Sequence, residues 1–315
     1  MRPESEIHPD MADLLAARRF ITAAETPAEK RANWTRYTSA TAIPVPASIK
    51  TEDIVVPCGD HDVPVRLYRP AAAQEDPLPV VVYLHGGGFM LGDLDSSDTN
   101  AWGLCDRIGA IVVSVDYRLT PDFPYPAAFD DCYGVLEFLV ANGPSLGMDA
   151  TRLALCGDSA GGSLAAACCL AARDRNGPVI AAQALVYPTL GCEPDLPSYV
   201  ENRDGPSLTT SSMIYYNGKY FSRPGDRTDP YAAPISATNL KGLPPVMVHT
   251  AEFDPIRDDG RAYAAKLIEA GAQVTYREAP RMLHGFLRMR EAGEGAAAEF
   301  NALCRFLSDN LALRR

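Results

Sequence analysis

Apolar residues along this chain follow two patterns: short unbroken runs, and longer stretches with an apolar residue every three or four positions. The unbroken runs suit strands buried on both faces, as in a parallel sheet covered by helices. They are Val80–Leu84, Ile111–Val115, Leu153–Cys156, Ala184–Tyr187 and Val246–Val248. A last strand is predicted at Val274–Glu278. Ahead of these runs Val63, Val65 and Leu67 alternate with polar residues, which indicates a half-exposed antiparallel strand.

Helical stretches separate the predicted strands. Apolar residues recur at helical spacing over Ala127–Val140, Gly161–Arg173 and Arg257–Ala270, and again from Phe300 to Leu311 near the C-terminus. Gly271 follows the third stretch, where a glycine commonly ends a helix. Strands that alternate with helices predict the α/β class, with a mostly parallel, doubly wound sheet flanked by helices.

Two segments break this alternation and predict a helical cap. More than fifty residues follow Tyr187 before the next strand, too many for an ordinary connection, and 211–221 within them are aromatic-rich and helical in character. The N-terminal segment has apolar residues at helical spacing around Met11, with Asp10 as the expected N-cap, and a second apolar cluster at Trp34. The predicted organisation is an arm at 1–50, a catalytic domain at 51–188 and 226–315, and a cap insertion at 189–225.

The charge balance excludes several classes of function. The formal net charge of −11 disfavours binding to the phosphate backbone of nucleic acids. The apolar runs are far shorter than the roughly 20 residues that span a bilayer, and the N-terminal residues are acidic where a signal peptide would be basic. We therefore expect a cytoplasmic protein without a membrane span. The sequence leaves open whether it forms a homodimer.

The eight cysteines are scattered along the chain and form no C-x-x-C pair. Several lie within the apolar strand and helix patterns, where a free thiol behaves as a small hydrophobic side chain. We expect reduced, structural cysteines, in keeping with a reducing compartment, and no metal site.

The segment Gly157–Gly161 fits the G-x-S-x-G pattern of a nucleophile elbow. It follows a predicted strand and opens a predicted helix, which is the context that an elbow requires. The flanking glycines remove Cβ atoms that would clash in the sharp turn, and the helix N-terminus offers N–H groups to a developing negative charge. Ser159 is therefore the candidate nucleophile, supported by Asp158. The pentapeptide alone would also fit a phosphate-binding turn.

A glycine-rich loop, His85-Gly-Gly-Gly88, directly follows another predicted strand. Its backbone can approach a bound carbonyl and donate N–H groups to the oxyanion of a tetrahedral intermediate. We assign the N–H groups of Gly87, Gly88 and Ala160 as these donors, with Gly86 as the weaker alternative. We expect His85 to brace the loop through hydrogen bonds.

His284 is the candidate general base. It follows the last predicted strand, at the sheet edge where Ser159 should emerge, and it comes last in the chain order Ser…Asp…His of α/β-hydrolases. The other histidines are placed less well. His8 lies in the arm, His61 in a polar turn, and His249 within an apolar strand where a core role is expected.

The acid that orients the histidine should follow the preceding strand. The candidates there are Glu252, Asp254, Asp258 and Asp259. Asp254 lies in the turn before Pro255, whereas Asp258 and Asp259 fall in the first turn of the next predicted helix, where acidic residues stabilise helix ends. Asp254 is therefore the candidate acid.

These motifs resemble those of the bacterial hormone-sensitive-lipase-like esterases, family IV of the α/β-hydrolase superfamily, in the subgroup with a G-D-S-A-G-G elbow. The matching stretches run in family order over roughly residues 50–312. They are His85–Phe89, Val115–Leu119, Gly157–Gly162, Asp254–Gly260 and His284–Phe286. Two departures are Pro121–Pro124, where the family often has Pro-Glu-His-Pro, and Asp259, where Glu is common.

The resemblance implies a serine carboxylesterase for short- to medium-chain esters, with no cofactor and a helical cap built from the N-terminus and the insertion. It also implies that Asp116–Arg118 is a structural element below the site. A lactone, amide or carbamate hydrolase would use the same triad. A small-molecule receptor on the same scaffold is the alternative from another class, but such receptors lack the catalytic histidine that His284 supplies here.

Overall fold

The computed structural model describes residues 4–72, 77–191 and 193–312. Eight strands form one sheet in the order β1-β2-β4-β3-β5-β6-β7-β8. The strands are β1 Ile49–Cys58, β2 His61–Pro70, β3 Leu78–Leu84, β4 Ile111–Val115, β5 Met148–Asp158, β6 Ala182–Val186, β7 Val246–Phe253 and β8 Val274–Leu283. β2 pairs antiparallel with β1 and β4, and the remaining pairs are parallel. The predicted α/β class with a mostly parallel sheet is confirmed.

Nine α-helices surround the sheet in the described part of the chain. They are α1 Ala12–Ala17, α2 Pro27–Ala40, α3 Leu94–Ile108, α4 Ala127–Asn142, α5 Ala160–Asp174, α6 Pro197–Glu201, α7 Thr210–Tyr220, α8 Arg257–Glu269 and α9 Glu294–Asn310. Val80 and Val82 of β3 face a core that α4, α5 and α8 complete, whereas Val81 and Tyr83 face a second core with α3 and α9. Burial on both faces explains the unbroken apolar runs.

The sequence pattern missed β1 and α3, as well as the short helix α6. β1 is an edge strand whose residues 50–53 are exposed, so its apolar positions show no regular alternation. In α3 the buried face includes small polar residues such as Ser97 and Asn100, which hides the helical spacing of apolar residues. Its N-terminus is nevertheless well marked, because Asp93 and Ser96 form a reciprocal capping box.

The N-terminal arm packs into the molecule rather than along its surface. Met11 and Leu14 are fully buried in the second core. The prediction that Asp10 caps the arm helix is wrong, because α1 has Met11 at its N-cap position. The Asp10 carboxylate instead accepts a hydrogen bond from the backbone N–H of Ala296, in the first turn of α9. The arm is thereby fixed to the C-terminal helix.

Seven cysteines lie in the described ranges, and none of these is disulfide-bonded. Six are buried and Cys58 is partly exposed; Cys192 lies outside the described residues. Across those same ranges, none of the helices combines the length and the apolar character that crossing a bilayer requires.

Candidate active site

The backbone conformation at Ser159 is that of a tight elbow between β5 and α5. Its φ of 55° and ψ of −118° lie outside the regions that non-glycine residues prefer. A Cβ atom on Gly157 would lie 2.2 Å from the carbonyl oxygen of Gly161, and one on Gly161 would lie 1.9 Å from that of Leu84. Only glycine fits at either place. The side chain of Ser159 therefore stands at the carboxyl edge of the sheet.

Three side chains meet at this edge. With the ring proton on Nδ1, His284 donates to Asp254 Oδ2 over 2.6 Å and accepts from Ser159 Oγ through Nε2 over 3.0 Å. Asp254 is fully buried, and its other oxygen accepts from the N–H of Ile256 over 3.1 Å. The structure thus brings together the three residues that the sequence singled out as nucleophile, base and acid.

Three of the other histidines bond to partners outside the triad. His249 is fully buried in β7, and its Nε2 bonds to Glu299 Oε2 over 2.8 Å. Burial lowers the pKa of His249, although Glu299 acts to raise it. His61, at the start of β2, bonds to Asp131 over 2.6 Å, and His8 caps the first turn of the arm.

Asp158 connects the elbow to the glycine-rich loop. Its Oδ1 accepts from the backbone N–H of Gly86 over 2.9 Å and from the hydroxyl of Tyr83 over 2.5 Å. The N–H of Gly86 is therefore already used, which favours Gly87 and Gly88 as donors to an oxyanion. The N–H of Ala160 is the first in α5, where an α-helix supplies no partner of its own.

His85 lies beneath the glycine-rich loop, as expected of a bracing residue. Its Nδ1 is 2.8 Å from the carbonyl oxygen of Gly86, and its ring stacks on Tyr117 with 4.2 Å between ring centroids. The Tyr117 hydroxyl donates to the carbonyl oxygen of His85 over 2.6 Å. The neighbouring Arg118 binds Asp131 through its guanidinium. Within the segment Asp116–Arg118, Tyr117 thus supports the loop.

A cavity of about 410 Å³ opens above Ser159 and His284. Its floor includes Gly87 and Gly88 of the loop. Much of its wall comes from the two segments that the sequence pattern set apart. The arm contributes, among others, Ile21, Trp34 and Tyr37, and the insertion contributes Leu208, Met213 and Tyr216. The site is concave and partly apolar, as small-molecule sites usually are.

The insertion is also bonded to the turn that carries the acid, which the sequence did not reveal. The side-chain amide of Asn202 donates to the carbonyl oxygen of Asp254 over 3.1 Å. Asp258 accepts from the N–H of Ser198 over 2.9 Å, and Asp259 accepts from the N–H of Leu190 over 3.1 Å. The two carboxylates do lie in the first turn of α8, but they fix the insertion as well as the helix end.

Residues that could hold a metal ion are not grouped at this site. Within 4–72, 77–191 and 193–312, no three His, Cys, Asp or Glu side chains lie together as metal ligands would.

A known protein family matches the part of the chain that carries the site. Residues 81–288 match a family described by the alpha/beta hydrolase fold. This range includes the glycine-rich loop, the elbow, Asp254 and His284.

Characterised relatives resemble the chain over most of its length. The carboxylesterase NlhH of Mycobacterium tuberculosis is 42% identical over 78% of this chain and 80% of its own. An ethyl acetate hydrolase of Pseudomonas putida is 37% identical over 78% of this chain and 80% of its own. The crystal structure of a thermostable esterase from Pseudomonas putida ECU1011 superposes with a TM-score of 0.91 at 29% identity, covering 100% of this chain and 99% of that one.

Proposed function

Because the chain belongs to the hormone-sensitive-lipase-like family of α/β-hydrolases and is a carboxylic ester hydrolase, we propose that it cleaves small esters through an acyl-enzyme on Ser159. The observation that carries the proposal is the unbroken hydrogen-bonded chain from Ser159 through His284 to Asp254, at the floor of a cavity. No cofactor is needed for this chemistry.

The reaction proceeds in two halves. His284 takes the proton of the Ser159 hydroxyl as its oxygen attacks the ester carbonyl, and Asp254 stabilises the imidazolium that forms. The N–H groups of Gly87, Gly88 and Ala160 bind the oxyanion. The alcohol leaves with the proton from His284, and water then hydrolyses the acyl-enzyme by the same route.

We further propose that residues 1–50 and 189–225 form one cap over a catalytic domain of 51–188 and 226–315. Cavity walls from both segments support this division. A cavity of about 410 Å³ suits short- to medium-chain acyl groups, since a closed pocket gains about 0.8 kcal/mol per buried methylene only until its wall is reached.

The proposal is tested with p-nitrophenyl esters of graded acyl length and the variant Ser159→Ala. Wild type should hydrolyse them with an optimum at short to medium chains, and the variant should lose about 10⁶ in kcat while remaining folded. Turnover by Ser159→Ala within tenfold of wild type would refute the assigned nucleophile.

A further inference from the structure

Cationic side chains line the cavity of an otherwise acidic protein. Arg18, Lys30 and Arg288 all contribute to its wall, although the formal net charge of the chain is −11. Asp158 is the acidic member among the described residues of that wall, and it already accepts hydrogen bonds from Gly86 and Tyr83. The cavity therefore presents positive charge that its own carboxylate does not neutralise.

Arg288 is the most buried of these cations. It lies in the short helical turn Phe286–Met289, four residues beyond His284, and only 7% of its surface is exposed. Its guanidinium carbon lies 5.7 Å from the centre of the Trp34 ring. Within the described ranges the guanidinium has neither an ion pair nor a hydrogen-bonding partner.

The described residues give this guanidinium no opposite charge, so an anion that enters the cavity would supply one. The ring of Trp34 provides a cation–π contact but no negative charge. A ring contact occupies none of the N–H groups of Arg288, which remain available to a ligand in the cavity. They match the two oxygens of a carboxylate, which arginine binds with two parallel hydrogen bonds.

Arg18 also contributes to the cavity wall. Burial raises the pKa of Tyr37, and the nearby charges of Arg288 and Arg18 partly offset that rise, so both guanidinium groups lie close to one phenol. No ion pair of Arg18 occurs among the residues that the structure describes. Lys30 differs, because its Nζ donates to the carbonyl oxygen of Ala24 over 2.9 Å.

We propose that the cavity selects esters that carry a carboxylate, which Arg288 and Arg18 bind while the ester carbonyl lies at Ser159. The inference rests on the proposed function and narrows its substrate class to anionic esters. The carboxylate belongs to the same small molecule as the ester bond. It lies on either the acyl part or the alcohol part of that ester.

Two pairs of esters of matched shape distinguish a carboxylate on the acyl part from one on the alcohol part. For the acyl part, 4-nitrophenyl hydrogen succinate is compared with 4-nitrophenyl 4-methylpentanoate. For the alcohol part, 2-acetoxypropanoate is compared with 3-methylbut-2-yl acetate. In each pair an isopropyl group replaces the carboxylate. Wild type should favour the anionic member by about tenfold or more in kcat/KM in at least one pair, as expected of a charge-assisted hydrogen bond.

Arg288→Met should remove that preference, Arg18→Met should reduce it, and Arg288→Lys should restore part of it because the charge returns. Arg19→Met is the matched control: it removes the same charge from an exposed neighbour of Arg18 that does not contribute to the cavity wall. The ratio of kcat/KM within a pair is the readout, so a general loss of activity does not imitate the effect. If Arg288→Met fails to fold, the test is the comparison of Arg18→Met with Arg19→Met: only Arg18→Met should lower the ratio of kcat/KM.

Preference for the neutral ester in both pairs would overturn the inference, and so would an equal fall of the ratio in Arg19→Met and the cavity variants. Those results leave the esterase proposal intact, since wild type still turns over the neutral esters. If wild type hydrolyses neither member of either pair, both proposals fail.

Discussion

Asp158 shows how one side chain next to the nucleophile can position a second part of the site. It is 7% exposed, and one of its oxygens accepts from both Gly86 and Tyr83. The glycine-rich loop and the elbow come from different strands, β3 and β5, and this carboxylate fixes the distance between them. Oxyanion stabilisation requires such fixed donors, because a loop that must reorganise during the reaction stabilises the transition state less.

Replacing Asp158 by alanine should therefore lower kcat by about a hundredfold with little change in KM, the scale for loss of one oxyanion donor. Asp158→Asn is the matched control, since its amide oxygen can still accept from Gly86. The measurement is steady-state kinetics on p-nitrophenyl butyrate, with thermal unfolding to confirm folding. Equal kcat values for the two variants would show that the bond to Gly86 does not position the loop.

Some residues of the site could be identified from the sequence and others could not. Ser159 was evident from the elbow pattern, and His284 from its place after the last strand. The contact of Asp158 with Gly86 joins residues 72 positions apart, and no local pattern encodes it. The sequence analysis did not single out Arg288. It lies four residues beyond His284, but its burial beside Trp34 of α2 could not be read from the sequence.

At the scale of elements, helix α7 forms part of the cavity wall. Tyr216 lies directly over the glycine-rich loop: a Cβ atom on Gly88 would be 2.6 Å from its ring. Tyr215, next in the helix, points elsewhere and lies near the ammonium groups of Lys30 and Lys219. The two tyrosines thus occupy one helix but only Tyr216 contributes to the cavity wall.

Tyr216→Ala should shift the acyl-chain optimum toward longer esters, because removal of the ring enlarges the cavity. Each additional methylene that becomes buried should add about 0.8 kcal/mol, or roughly fourfold in kcat/KM. Tyr215→Ala is the control and should keep the wild-type profile. The profile over p-nitrophenyl esters from acetate to decanoate measures this, and an unchanged optimum in Tyr216→Ala would exclude α7 as the limiting wall.

The elements themselves were predictable where burial was uniform. β3, β4 and β5 face helices on both sides, so their apolar runs were unbroken and their places were found. β1 and α3 were missed because an exposed edge and buried polar contacts remove the regular spacing. The arm was recognised as helical, yet only the structure shows that Met11 and Leu14 belong to the core.

At the scale of the whole molecule, a buried cluster joins the last sheet strands to α9. His249 bonds to Glu299 over 2.8 Å, and Glu299 also accepts from Arg277. Burial lowers the pKa of His249. Burial alone would raise the pKa of Glu299, but hydrogen bonds from His249 and Arg277 outweigh it and hold that pKa below its usual value.

Both pKa shifts make the folded protein less stable as the pH falls. The unfolded chain binds a proton at His249 more readily, so the free energy of unfolding should decrease as the pH falls through about 6.5, the ordinary value for histidine. Glu299 contributes stability that is lost only at lower pH, as its carboxylate protonates. Each proton contributes at most about 1.4 kcal/mol per pH unit. His249→Gln retains a donor to Glu299 and should lessen the loss between pH 7.5 and 5.5.

His61→Gln is the control for that experiment. Hydrogen bonds that His61 donates to Asp60 and Asp131 raise the pKa of His61, so this residue contributes stability at low pH that is lost as the pH rises. Its removal should leave the acid-induced loss unchanged or steeper. Urea unfolding at a series of pH values measures the free energy of unfolding of both variants. If that free energy falls with decreasing pH as steeply in His249→Gln as in wild type, His249 is not the cause of the acid-induced loss.

The central claim is that Ser159 is the group acylated during turnover, and covalent trapping tests it most directly. Wild-type protein is treated with diethyl 4-nitrophenyl phosphate, and the intact mass, the modified peptide and the residual activity are measured. One diethylphosphoryl group on Ser159, formed in step with the loss of activity and absent from Ser159→Ala, is the predicted result. Loss of activity with the label on another residue, or equal labelling of Ser159→Ala, would contradict it.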